Sequence, residues 1–248
     1  MRPVAWSIWA SGMLAIGSSL TPAAPAIAQD SLSDAGQRLD DLDGRITRLE
    51  DLEAIERLQK TYGYLVDKAQ WEPLAELFSE SGTLEIGGRG VYTGRDRVLA
   101  YMQTGFGQDG TRAGVLMNHM QFQPVADISE DGRKGWVRAR AYVMSPGGWG
   151  LPLYENQYVK GDDGKWRISV LHGPFTMYTN WEGWAKNATP NTWPGDRDLS
   201  PADLPPSVVY LTYPSYYVIP YHYDHPVTGK RYEVPIGQAG VHAGPPMP

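Results

Sequence analysis

Asp67 is an acid in an awkward place. In the stretch YGYLVDKAQWEPLAELF, Tyr62 to Phe78, the apolar spacing reads as the end of one amphipathic helix, a break at Gln70 and Trp71, and a second helix begun near Pro73. Asp67 falls in the last turn of the first helix, where the macrodipole is negative and a carboxylate costs up to about 1 kcal/mol. Either a partner holds it there or it is a solvated helix end. His119 lies in VLMNHMQFQPVADI, whose alternation puts it on one strand face with Met117, Gln121 and Gln123. An imidazole exchanges its proton near neutral pH, so His119 is a candidate acid or base, as is His172 at the end of WRISVLH. Tyr62 belongs to the apolar stripe of its helix, where a phenol can pack or donate a hydrogen bond into a cavity. Arg140 shares a strand face with Trp136, Arg138 and Tyr142. That face either lines a pocket, with Arg140 polarising a substrate oxygen, or is the outer face of the sheet. His222 and His225 flank Asp224 in YHYDHP, but on a Pro-rich stretch with no third ligand in view, so no metal site is expected.

Other chemistries lack their parts. The 248 residues include no cysteine, which excludes disulfides, thiolate nucleophiles and Cys-ligated metals. There is no Gly-rich dinucleotide motif and no G-x-S-x-G, so no cofactor is expected and acyl transfer has no nucleophile of the usual kind. What remains is acid/base work: elimination or isomerisation of a small substrate. A net charge of −6 with no Lys/Arg cluster repels phosphate, so neither nucleic acid nor an anionic membrane is an expected partner.

The elements that must position these residues follow from periodicity. Residues 1–28 carry Arg2, an apolar run and Ala26-Ile27-Ala28, the pattern of an export signal cleaved before Gln29, so the mature protein is expected in a bacterial periplasm, free of the membrane. From Gln29 to Gly36 the chain reads as polar and loose, and residues 29–50 form a helical extension. In it Leu39, Leu42, Ile46, Leu49 and Leu52 make a stripe that packs either on its own domain or on another subunit, in a dimer or trimer. Residues 51–172 read as one domain. The stripe runs on through Ile55, Leu58, Tyr62 and Leu65, and short strands at GTLEI and VY precede a helix opened near Gly94. TGFGQDGTRAG reads as a flexible loop, followed by longer strands joined by the turns SEDGRK, SPGGWG and GDDG. Helices first and a meander second predict an α+β fold: a cone-shaped, curved, mostly antiparallel sheet covered by the N-terminal helices. Residues 173–248 are dense in Pro, Tyr and Trp. So many large aromatics predict an ordered wrap over the domain or a neighbouring subunit, with HAGPPMP loose at the end.

The chain also resembles a known family. LEAIERLQKTYGYLVDKAQWEPLAELFSESGTLEIGGRGVYTGRDRV, then MNHMQFQPV, then LYENQYVKGDDGKWRIS, look like the SnoaL-like group of the nuclear-transport-factor-2-like superfamily, over roughly residues 50–172. The resemblance implies a cone with an apolar pocket and cofactor-free acid/base chemistry, as in scytalone dehydratases, polyketide cyclases and hexachlorocyclohexane dehydrochlorinases. In the dehydrochlorinase pattern an acid matching Asp67 supports a histidine matching His119, which takes a proton from carbon. A lysine of that pattern matches Tyr62 here and an arginine falls near Leu171, so those two positions do not carry over. A SnoaL-like core with an aromatic-rich extension is also similar to bacterial diarylpropane lyases, which turn a lignin-derived diaryl 1,3-diol into a stilbene with loss of water and formaldehyde. By that resemblance Asp67 and His119 are catalytic, and Tyr62, Arg140 and His172 are candidates for contact with a small aromatic substrate.

Overall fold

In the computed structural model the described residues are 26–183, 186–191, 200–215 and 217–234. Most of the expected export signal, residues 1–25, and the HAGPPMP tail lie outside them. Contacts divide the chain into two units, residues 1–44 and 45–248. The described part of the first is helical, including the residues from Gln29 to Gly36 that read as loose. No proline interrupts the run from Ala26 to Asp67, and the whole of it forms one helix, α1.

The second unit contains the end of α1, α2 (Trp71–Glu76), α3 (Arg95–Phe106) and seven strands: β1 (Phe78–Ile86), β2 (Val91–Thr93), β3 (Asn118–Ile128), β4 (Lys134–Ser145), β5 (Gly148–Lys160), β6 (Trp166–Gly173) and β7 (Phe175–Thr179). The sheet order is β2-β1-β6-β5-β4-β3, with β7 paired to β5 off this path. The β1–β6 pair is parallel and all the others are antiparallel, so the sheet is mixed. Its curvature has local causes. Register shifts interrupt β3 between Phe122 and Val125, where Gln123 has φ +51, and β5 between Gln157 and Tyr158. Such bulges bend a strand and deepen its twist. The first also takes Gln123 out of the alternation that carries His119 and Gln121.

The inner face of the sheet carries Val137, Ala139, Ala141 and Val143 of β4 with Tyr154 and Tyr158 of β5, all buried against Ile55, Tyr62 and Val66 of α1. Polar groups fix α1 on it. Asp51 accepts from Lys160 Nζ at 2.7 Å and from Trp166 Nε1 at 2.7 Å, and buried Gln59 accepts from Asn156 and from the Tyr158 hydroxyl, each at 2.6 Å. A buried carboxylate or amide is costly unless paired, so these bonds specify the helix position as well as hold it.

The opposite face is covered as well. Leu204 bridges Val91, Ser207 donates from backbone and hydroxyl to Glu85, and Tyr210 stacks beside His172. Farther on, Arg138 donates to the carbonyls of Ile219 (3.1 Å) and Pro220 (2.6 Å), its guanidinium stands 4.1 Å over the Tyr221 ring, and His222 bonds Glu155. Residues 200–215 and 217–222 therefore run across the outer face of their own sheet from β2 towards β4.

Candidate active site

The site begins with how closely α1 approaches β3. Gly63 has no side chain where a Cβ would stand 2.7 Å from the His119 carbonyl oxygen and 3.1 Å from Gln121 Nε2. One turn later on the same side of the helix comes Asp67. The helix closes just beyond it: Ala69 takes φ +48 and the Gln70 amide donates to the Leu65 carbonyl at 2.9 Å. The close approach puts Asp67 Oδ1 2.9 Å from His119 Nδ1, with the two side chains 13% and 14% exposed.

An ionised carboxylate only accepts, so Nδ1 carries the proton, and in the neutral imidazole Nε2 holds the lone pair. His119 is paired with Val143 across the β3–β4 ladder, and Val143 belongs to the inner face. His119 accordingly lines a pocket enclosed by α1, α3 and the inner face of the sheet. Its walls are largely apolar, including Val66, Met102, Phe106, Met117 and Phe175.

Six polar side chains join His119 there. Tyr62 and Tyr154 lie edge to face with ring centroids 6.2 Å apart. Burial pushes both phenols up: Tyr62 well above the usual range, with Tyr154 and Tyr101 adding to the effect, and Tyr154 likewise, with Tyr101 and Asp67 adding. Both are therefore fixed as protonated donors. Arg89, from the GGRG turn, donates to the Tyr101 hydroxyl at 2.8 Å, and both line the cavity. At the far wall Ser145 and Tyr178 share a hydrogen bond at 3.2 Å.

Of the residues singled out in the sequence, Asp67, His119 and Tyr62 come together. Arg140 and His172 do not. Arg140 is exposed on the outer face of β4, since Val137, Ala139 and Ala141 take the inner one, so the pocket reading of that face is corrected. His172 also points outward. It pairs in register with Glu85, its Nε2 stands 3.7 Å from the Glu85 carboxylate, and the Tyr210 ring covers it. Burial there pushes its imidazole down, against the pull of Glu85 and Glu155. The three candidate ligands of the YHYDHP run each have a structural partner: His222 bonds Glu155, Asp224 meets Arg231, and His225 Nδ1 accepts from the amides of Val227 and Thr228. Among the described residues no cluster of three His, Asp or Glu side chains could hold a metal.

Sequence reasoning missed Arg89, Tyr101 and Tyr154. A signal existed for two of them. Tyr154, Asn156 and Tyr158 alternate as an inward row in LYENQYV, and an arginine between glycines in a tight turn is a charge carried where backbone packs closely.

A SnoaL-like domain model matches residues 47–172, just over half of the chain. Among solved structures, a provisionally assigned scytalone dehydratase from Novosphingobium aromaticivorans is 25% identical with TM-score 0.48, over 59% of this chain and 96% of that one. A hexachlorocyclohexane dehydrochlorinase from Novosphingobium barchaimii is 19% identical with TM-score 0.49, over 56% and 95%. An NTF2-like protein with a cystatin-like fold, also from N. aromaticivorans, is 21% identical with TM-score 0.44, over 60% and 94%. A search of curated proteins finds no match. The family match spans both halves of the His119–Asp67 pair, while β7, which adds Phe175 and Tyr178 to the cavity wall, lies beyond it; the chain belongs to the SnoaL-like domain family.

Proposed function

We propose that the protein is a lyase that works by general acid/base catalysis without a cofactor. The observation that carries this is an imidazole whose outer nitrogen is held by a carboxylate, set in the wall of an apolar cavity that also holds protonated phenols. Elimination needs a base for one proton, an acid for the leaving group and little water, and these groups supply all three. His119 Nε2 takes the proton, and Asp67 stabilises the resulting imidazolium. Tyr62 or Tyr154 protonates the departing oxygen, while Arg89 and Tyr101 offer donors to a substrate oxygen or phenolate.

The finer reading is a lignin-derived diaryl 1,3-diol as substrate. A para-phenol, giving its proton to solvent, expels the benzylic hydroxyl as water, assisted by a tyrosine proton, and leaves a quinone methide. His119 then takes the proton of the terminal hydroxyl. The bond between the central carbon and the hydroxymethyl carbon breaks, formaldehyde departs, and the bond's electrons restore the phenolate and complete a stilbene. The phenolate recovers its proton, and the proton on His119 returns to the tyrosine. Atoms balance as diol to stilbene, water and formaldehyde. The aromatic side chains of the cavity wall support this reading.

The test is turnover of a panel of aromatic diols, alicyclic alcohols and ring halides, with fluorescence for stilbene and a formaldehyde assay. Equal stilbene and formaldehyde are the expected result. Turnover without one-carbon release would replace the diol reading by a dehydratase or a dehydrohalogenase of a ring substrate. Tight binding of panel compounds with no turnover would replace catalysis by a hydrophobic-ligand carrier.

A further inference from the structure

Helix α1 shows two opposed faces. On one, Arg48 donates to the Ile128 carbonyl at 2.7 Å, Asp51 is buried with Lys160 and Trp166, and Ile55 enters the core. Roughly 160° around the helix, at 100° per residue, a second apolar row lies exposed. Leu39, Leu42, Ile46 and Leu49 are 67%, 48%, 53% and 67% exposed, and every residue from Gln37 to Glu50 is exposed. A helix that contains Gly36 and Gly44 is poorly stabilised by its own propensity and depends on packing one face.

The row has the spacing of a coiled coil. With Leu39 and Ile46 at a, Ala35, Leu42 and Leu49 fall at d, and a β-branched residue at a with leucine at d favours two strands. The flanking charges choose the partner and its direction. Arg38 and Arg45 occupy g, and Asp43 and Glu50 occupy e. In a parallel, in-register pair each g residue faces the e residue five places on in the other chain. Arg38 then meets Asp43 and Arg45 meets Glu50, on both sides of the seam. An antiparallel pair would set arginine against arginine and acid against acid. The seam stops at Glu53, the next a position, which pairs with Arg57 on its own helix at 2.6 Å.

We infer that α1 binds a second copy of this chain through a parallel, in-register two-stranded coiled coil along Ala35–Leu49. The reading does not depend on the lyase assignment. It specifies a dimer with a two-fold axis along the seam.

Sedimentation equilibrium across a dilution series of the full chain tests it, and the lack of cysteine makes site-specific crosslinking clean. The expected result is a dimer whose dissociation constant rises at least about 100-fold in Ile46→Asp, with unchanged circular dichroism in the sheet region. Arg38→Glu with Arg45→Glu weakens the dimer at least about tenfold, and adding Asp43→Arg with Glu50→Arg restores it. Under mild oxidation Ala35→Cys crosslinks within the dimer and Gln37→Cys, at f, does not. A monomer at every concentration would overturn the inference. So would an oligomer indifferent to Ile46→Asp, or a dimer in which Ala35→Cys stays reduced, because antiparallel strands hold those positions far apart.

Discussion

Replacing Gly63 by alanine isolates the contact on which the proposed site depends. The new methyl would stand 2.7 Å from the His119 carbonyl oxygen, whereas carbon–oxygen contacts settle at about 3.4 Å, so α1 and β3 must part by about 0.7 Å. Asp67 is one turn along the same helix side. A shift of that size along the Asp67–His119 bond takes it from 2.9 Å to about 3.6 Å, beyond hydrogen-bonding range. Alanine is the better helix former by about 1 kcal/mol, but overpacking costs about 1–3 kcal/mol, so Gly63→Ala should lose up to about 2 kcal/mol of stability. The larger effect is on the site. An imidazole without its carboxylate is free to rotate, and turnover should fall by about 100-fold. Proton NMR of the His119 Nδ1–H and thermal denaturation read the two effects separately. A variant more stable than the parent that keeps the hydrogen-bonded Nδ1–H would refute the reasoning, since it would mean the helix is not held at contact distance by Gly63.

Other expectations follow from the same structure. Burial lowers the His172 pKa, so between its unfolded value near 6.5 and its folded value the unfolded chain binds more protons; stability should fall as pH drops below about 6.5, and His172→Gln should flatten that slope in melting curves recorded against pH. Arg138→Leu leaves Glu155 with His222 and removes the bonds to the Ile219 and Pro220 carbonyls, and should cost up to about 3 kcal/mol, seen as a lower denaturation midpoint and faster proteolysis within the covering segment; an unchanged cleavage rate would deny that Arg138 clamps the segment. Arg89→Lys loses the flat guanidinium that reaches the Tyr101 hydroxyl and should raise KM for phenolic panel compounds by about tenfold while leaving the fold intact; equal KM values would remove Arg89 from the substrate-binding role.

The fold was largely readable because periodicity is a strong signal where one face is dry. The helical stripe, the meander strands and their turns all appear at their places. The parallel β1–β6 pair and β7 were not readable, since pairing partners far apart in sequence leave no local mark. Arg140 and His172 show a second limit. Alternation on β4 and β6 separates two faces but does not say which one looks inward. Here part of the outer face is covered as well, by residues 200–215 and 217–222, so the outward Arg138 is only 8% exposed while Arg140 two places on is exposed, and polar character stops marking the solvent side. Asp67 and His119 were found through the family resemblance. Their distance in space is set by Gly63, a residue with no chemistry of its own.

The most direct test is a double-mutant cycle on turnover: His119→Ala, Asp67→Asn and the two together, assayed on whichever panel compound the parent enzyme converts. If the pair is one acid/base unit, each single change lowers kcat by about 100-fold or more and the double change adds little further loss. Near-parental turnover in either single variant, or losses that multiply as though the two residues worked apart, would contradict the mechanism.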